Sequence, residues 1–172
     1  NATGVGWQPG DLISAFARPT VGKTWLCADI AATSALKGYK TLFVSTEMTK
    51  KSIDMRMDVI MANKSGFKLS HRALRTGSPI DEEKYAKFLS ELDDKNLLIC
   101  DHISGEDSIS LHSIANLIRK HAPDITVIDG VYLVSTAMKN SASWEQNHSL
   151  FYGLKNLALA QDTTIMVSSS IW

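Results

Sequence analysis

Three consecutive residues, Gly22, Lys23 and Thr24, carry the groups that hold a nucleotide phosphate. Glycine permits a tight turn whose backbone N–H groups approach a phosphate, a lysine ammonium reaches the β- and γ-phosphates, and a threonine hydroxyl ligates Mg²⁺. The stretch that ends there differs from the phosphate-loop pattern G-x-x-x-x-G-K-[ST] only at its first position. We predict that it binds a nucleotide, the alternative being a structural glycine turn. The predicted contacts are Ala17, Arg18, Pro19, Thr20, Val21, Gly22, Lys23 and Thr24.

The departure from the pattern is Ala17, which stands where a glycine is expected. Alanine lacks the freedom of glycine to adopt left-handed backbone angles. It fits if the backbone stays extended as the preceding strand ends, and Pro19 favours this because it biases Arg18 toward extended geometry. Backbone amides, Lys23 and Mg²⁺ are expected to hold the phosphates. Ala17 therefore weakens the match to the sequence pattern more than it weakens phosphate binding.

Two acidic residues end apolar stretches farther along the chain. Asp129 closes "ITVID" and is predicted to direct Mg²⁺, and Glu47 closes "TLFVSTE" and is predicted to orient and deprotonate a water. Thr24 and Asp129 are then the metal ligands, and Glu47 and Lys23 the catalytic residues. The alternatives are an aspartate that caps a turn and a glutamate that complements the dipole of the helix predicted over 49–63.

Apolar, β-branched segments alternate with segments of helical periodicity. The predicted strands are 11–17, 41–46, 96–101, 125–130 and 163–169, and the predicted helices are 23–37, 49–63, 81–93, 110–121 and 145–161. Continuous apolar strands need cover on both faces, so the pattern predicts an α/β fold with a mainly parallel sheet between two layers of helices. Asp81 and Ser110 are candidate helix caps.

Composition narrows the class of protein. The 172 residues suit one domain, and 18 basic residues balance 18 acidic ones, so overall charge gives no attraction to a polyanion or a membrane. No apolar run is long enough to cross a bilayer, and the N-terminus lacks the features of a signal peptide. We expect a soluble, intracellular protein. Cys27 and Cys100 lack metal-site spacing and are expected to be buried thiols.

Several blocks together resemble the RecA-like ATPase domain of DnaB-type replicative helicases, hexameric motors that translocate on single-stranded DNA. The blocks are "GDLISAFARPTVGKTWLCADIA", "TLFVSTEM" with a following helix that bears "RM", "LRTG", "ITVIDG" and "LKNLALAQDTTIMVSSS". The resemblance implies a RecA-like P-loop NTPase fold, ATP and Mg²⁺ as ligands, and the roles given above for Lys23, Thr24, Asp129 and Glu47. It also implies a ring of identical subunits, contact with a primase or helicase loader, and a cytoplasmic location, which is the host cytoplasm for a bacteriophage-type member.

Three features depart from that family. Gly130 follows Asp129 where the family has tyrosine, and Ser169 and Ser170 stand where it has a Ser-Gln pair whose glutamine senses the γ-phosphate. The chain also stops at Trp172, before the segment that carries the family's arginine finger. We therefore expect residues 1–172 to form a RecA-like domain that lacks its C-terminal part.

Contacts with DNA and the exact activity stay open at this point. Lys139 and Trp144, in a polar stretch over 135–149, and the basic run 63–75 are candidate DNA contacts, but each also suits a solvated or packing role. The other functions considered are a RecA- or KaiC-like recombinase or regulatory ATPase, and a nucleotide-binding assembly module that does not hydrolyse ATP.

We expect Lys23→Ala to abolish or greatly weaken nucleotide binding while the protein stays folded. The change deletes a charge-assisted contact to phosphate and opens no cavity in the core. Affinity for an ATP analogue, measured beside circular dichroism, checks this expectation. Equal affinity in the wild type and a folded variant would contradict the phosphate-loop assignment.

Overall fold

The computed structural model describes residues 6–92, 95–101, 109–135 and 143–170. Five parallel strands form one sheet in the order β1-β5-β4-β2-β3. The strands are β1 Leu12–Ala17, β2 Thr41–Ser45, β3 Leu97–Asp101, β4 Ile125–Asp129 and β5 Thr164–Ser170. The helices are α1 Lys23–Leu36, α2 Lys50–Lys64, α3 His71–Thr76, α4 Glu82–Glu91, α5 Leu111–His121 and α6 Ser143–Ala160, and a 3-10 helix, Val131–Leu133, follows β4. The predicted α/β fold with a mainly parallel sheet is confirmed.

Local sequence signals explain where the helices begin. The Asp81 carboxylate accepts a hydrogen bond from the Lys84 N–H at 3.1 Å, and the Ser110 hydroxyl accepts one from the Ser113 N–H at 3.0 Å, so both predicted caps are confirmed. These bonds satisfy N–H groups that have no partner inside the helix. The short helix α3 was not predicted as a separate element, because the basic run over 63–75 was interpreted as one helix-and-loop face.

The apolar core lies in two layers, one on each face of the sheet. Strand β2 shows the arrangement, because all five of its residues are buried. Phe43 packs into the layer that contains α1 and α2, whereas Leu42 and Val44 pack into the layer that contains α5 and α6. Alternate residues of a strand point to opposite faces, so an uninterrupted apolar strand requires both layers.

The end of β1 decides how Ala17 is accommodated. Ala17 is the last residue of β1 and pairs with Ser170 of β5, so its backbone is extended, as the sequence analysis required. The left-handed positions of the following loop are Thr20, with φ of 67°, and Gly22, with φ of 96°. The first position of the pattern therefore needs no glycine in this fold.

Of the two candidate DNA contacts in the polar stretch 135–149, the structure describes Trp144 but not Lys139. Lys139 belongs to the undescribed residues 136–142. Trp144 lies in the first turn of α6, which begins two residues before the predicted start, and its side chain is 68% exposed. It does not pack into the core.

Among the described residues, no helix has both the length and the apolar character needed to cross a bilayer.

We expect Ala17→Gly to change nucleotide affinity by less than about tenfold, because the loop already has its left-handed residues elsewhere. A small loss of stability is expected, since glycine loses more conformational entropy in a strand. Ala15→Gly, two residues earlier on β1, is the matched control for that loss. A much larger gain in affinity for Ala17→Gly alone would show that the alanine distorts the loop.

Candidate nucleotide-binding and hydrolysis site

The loop between β1 and α1 leads into a helix N-terminus suited to an anion. Gly22 is the N-terminal cap residue of α1, in left-handed geometry and without a side-chain cap for the first N–H groups. The first turn of α1 contains no acidic residue. The amides and the positive end of the helix dipole therefore face the loop, where a phosphate is stabilised.

Lys23 reaches back across this loop. Its Nζ donates hydrogen bonds to the carbonyl oxygens of Ala17 at 3.3 Å and Arg18 at 3.2 Å. The ammonium is thereby held at the point where the strand ends and the loop begins. Phosphate oxygens are charged and form stronger hydrogen bonds with an ammonium than carbonyl oxygens do, so a bound phosphate can replace these contacts.

Asp129 is a buried carboxylate at the end of β4, only 2% exposed. Its Oδ1 accepts a hydrogen bond of 2.7 Å from the hydroxyl of Ser168 on β5, and the same hydroxyl accepts one of 3.0 Å from the Gly130 N–H. Its Oδ2 is buried and has no hydrogen-bond partner by geometry among the described residues, and the nearby Cys27 thiol is only a weak donor to this carboxylate. A buried carboxylate oxygen without a donor is costly unless a cation binds it, so this atom fits a Mg²⁺ ligand.

Helix α1 lies next to this carboxylate. Burial raises the pKa of the Cys27 thiol to about 12, and the negative charge of Asp129 adds to the increase. Cys27 lies one turn after Lys23, so Asp129 lies close to the amino-terminal part of α1, which also carries Thr24. Cys27 is buried and Cys100 half-buried, and neither forms a disulfide.

Glu47 lies at the end of the neighbouring strand. Strands β2 and β4 are paired so that Ser45 stands opposite Asp129, and Glu47 follows two residues later. Its Oε1 accepts a hydrogen bond from the hydroxyl of Tyr132. The cap of α2 is Thr49, and the first turn of that helix has no acidic residue. This geometry favours a role at the site over the alternative of a helix-dipole charge.

Similarity to known proteins extends over nearly the whole chain. The model of the DnaB-like helicase C terminal domain matches residues 1–171. This chain belongs to that family. The replicative DNA helicase DnaB of Haemophilus influenzae is 31% identical over 132 residues, which cover 74% of this chain and 27% of that protein. A probable replicative DNA helicase of Trieres chinensis is 27% identical over 174 residues, which cover 96% of this chain and 36% of that protein.

Solved structures show the same fold. One solved ATPase domain superposes with a TM-score of 0.83 at 20% identity, covering 97% of this chain and 59% of that one. A DnaB-like replicative helicase, solved in a study of its interactions with primase, gives a TM-score of 0.83 at 20% identity, with 96% and 40% covered. The predicted RecA-like fold is confirmed. The chain spans only 27% to 36% of the length of the curated relatives that it matches.

Gly130 distinguishes this DnaB-like domain from the pattern with tyrosine after the aspartate. Its φ is 90°, and a Cβ there would lie 2.4 Å from the Thr46 Oγ1 and 3.1 Å from the Glu47 Oε1. The Thr46 hydroxyl cannot retreat easily, because it lies 2.8 Å from the carbonyl oxygens of both Asp129 and Gly130. No larger side chain fits at this position without displacing Glu47 or Thr46.

A cationic cluster borders the phosphate loop of the DnaB-like domain, and the sequence analysis missed it as a site feature. The Arg56 guanidinium lies 5.4 Å from the ring centre of Trp25, and His71 contacts the same ring edge-on. Burial lowers the pKa of Arg56, while the negative charge of Asp129 acts in the opposite direction. Burial and the charges of Arg56 and Arg75 lower the pKa of His71, which is therefore neutral at pH 7. Arg56 and Arg75 supply the positive charge of this cluster.

Ser168 and Tyr132 were also missed. Each contacts its carboxylate across strands that are distant in sequence, by 39 residues for Ser168 and 85 for Tyr132. The available signal was a run of three serines that ends an otherwise apolar strand. Hydroxyl groups in a buried strand need partners, so the run indicated a polar contact without identifying it.

We expect Ser168→Ala to lower the free energy of unfolding by about 1–3 kcal/mol, because it leaves the buried Asp129 Oδ1 and Gly130 N–H without a partner. Nucleotide affinity in Mg²⁺ should fall as well, since the carboxylate loses its orientation. The matched control is Thr126→Val on β4, whose buried hydroxyl has no hydrogen-bond partner among the described residues. Urea denaturation should show Thr126→Val to be neutral or stabilising, and a similar result for Ser168→Ala would contradict the assigned bonds.

Proposed function

We propose that this chain is the ATP-hydrolysing motor domain of a replicative DNA helicase. One observation carries the proposal. The phosphate loop with Lys23, the buried Asp129 carboxylate with an unpartnered oxygen among the described residues, and Glu47 all lie at the carboxyl edge of one parallel sheet. In open α/β sheets this edge is where ligands bind. Membership of the DnaB-like family supports a helicase over other ATPases.

Each residue of the site has a separate role in binding or hydrolysing ATP. The amides at the start of α1 bind the phosphates of ATP, and Lys23 neutralises charge on the β- and γ-phosphates. Thr24 and Asp129 Oδ2 would hold Mg²⁺, which when bound offsets charge that develops on the phosphate oxygens. Glu47 orients a water toward the γ-phosphorus and accepts its proton. Thr46 holds the backbone beside Glu47 through its hydrogen bonds to the carbonyl oxygens of Asp129 and Gly130.

The partners follow from the family and its named members. We expect single-stranded DNA as the track and a ring of identical subunits, a hexamer, in which ATP binds between neighbours. A primase or helicase loader is a further partner, in line with the second solved structure, a helicase described together with its interactions with primase. The expected location is the cytoplasm, where bacterial and bacteriophage DNA is replicated.

The decisive experiment measures ATP hydrolysis by the complete parent protein with and without single-stranded DNA, beside unwinding of a forked duplex. The complete protein is required because this chain spans only 27% to 36% of the length of the curated relatives that it matches. Hydrolysis stimulated by DNA with directional unwinding supports the proposal. Hydrolysis without unwinding would favour a recombinase or regulatory ATPase, and nucleotide binding without hydrolysis an assembly module.

We expect Glu47→Gln to leave ATP binding intact and to reduce turnover by roughly 10²- to 10⁴-fold. Glutamine keeps the size and hydrogen bonding of glutamate but cannot accept the proton of the water. Steady-state hydrolysis and nucleotide affinity are measured together in the complete protein.

The control for this variant is Glu83→Gln, in the first turn of α4. That change removes a charge that only complements a helix dipole, worth about 0.3–1 kcal/mol of stability. It should leave turnover unchanged. If Glu47→Gln behaved like Glu83→Gln, Glu47 would have no part in hydrolysis.

A further inference from the structure

Tyr132 joins the ends of two strands through its phenol group. The hydroxyl donates a hydrogen bond to Glu47, which follows β2. Ser170, the last residue of β5, lies near the phenol, and its hydroxyl acts to lower the pKa of Tyr132. Tyr132 itself belongs to the 3-10 helix after β4, and β4 lies between the other two strands in the sheet. The phenol therefore lies at the same edge of the sheet as Asp129 and Glu47.

The direction of this hydrogen-bond chain is fixed by the chemistry of its members. An ionised carboxylate only accepts hydrogen bonds, so the single phenol proton must point to Glu47. The phenol oxygen then keeps lone pairs that can accept a hydrogen bond from a nearby hydroxyl such as that of Ser170. Burial and the contact with Glu47 raise the pKa of Tyr132, so the phenol keeps its proton at neutral pH.

The local backbone is built to place this side chain. Gly130 makes a turn that no residue with a Cβ fits, and the Leu133 N–H then donates to the Gly130 carbonyl at 3.0 Å. Val131 is buried in the core and anchors the 3-10 helix. Tyr132 is 41% exposed, so its position depends on the hydrogen bond to Glu47 as well as on packing.

We propose that Tyr132 is a positioning residue for ATP hydrolysis, which holds the Glu47 carboxylate in place and links it to the end of β5. The inference rests on the proposed function and adds a residue to it. The phenol takes up Oε1, which leaves Oε2 of Glu47 to face the attacking water.

The test replaces Tyr132 by phenylalanine in the complete parent protein. Tyr132→Phe keeps the ring and removes only the hydroxyl. We expect kcat for ATP to fall by about tenfold or more, the range typical of losing a group that orients another. The KM for ATP and the affinity for a non-hydrolysed analogue should stay within about threefold, since no phosphate contact is removed.

The matched control is Tyr85→Phe. Tyr85 also donates to a carboxylate, that of Asp58 at 2.7 Å, but its ring stacks with Phe67 and Phe88, away from the site. This variant loses the same kind of hydrogen bond, so a lower melting temperature with normal kcat is expected. A fall in kcat of the same size in both variants would show a general structural effect and overturn the assignment.

Ser170→Ala tests the other end of the chain and does not require Tyr132→Phe to fold. A fall in kcat of about threefold or more at unchanged KM is expected, because the phenol loses its donor. In the double variant the fall should not exceed that of Tyr132→Phe alone, since both changes break one linkage. Independent, multiplied effects, or a normal kcat in both single variants, would overturn the inference. Absence of hydrolysis in the wild type would instead contradict the proposed function.

Discussion

The site depends on a buried charge that the protein satisfies only in part. Asp129 lies in the middle of the sheet, 2% exposed, with one oxygen bound to Ser168 and the other without a partner among the described residues. Such a group destabilises the fold unless a cation completes it. In the proposed function, the oxygen that destabilises the fold is also the atom that would bind the metal ion, and ligand binding would then stabilise the folded state by mass action.

The topology explains why the necessary groups meet. Strand β4 lies between β5 and β2, so its carboxyl end has Ser168 on one side and Thr46 and Glu47 on the other. Because all five strands are parallel, each strand ends at the same edge of the sheet. The positions that follow the strands can then be far apart in sequence and adjacent in space. Gly130 makes this proximity possible, since any larger residue would press on Thr46.

The sequence predicted the fold because the relevant signals are local. Apolar strands, helix periodicity and the caps Asp81 and Ser110 each depend on a few neighbouring residues. The phosphate loop is local too, since Lys23 and Thr24 begin the helix that it precedes. Tyr132 and Ser168 escaped prediction because their roles arise from contacts across strands. The role of Trp144 was left open for a related reason. No local sequence signal shows whether a single aromatic residue at the start of a helix is exposed or packed.

The thiol beside Asp129 has a consequence for chemical modification. Thiolate is the form that reacts with oxidants and alkylating reagents. Burial raises the pKa of Cys27 to about 12, so the thiolate is scarce at neutral pH. The thiol one helical turn after Lys23 is therefore a poor target for oxidants and alkylating reagents. Burial and the charge of Asp101 raise the pKa of the half-buried Cys100 on β3 as well, so neither thiol is activated for reaction.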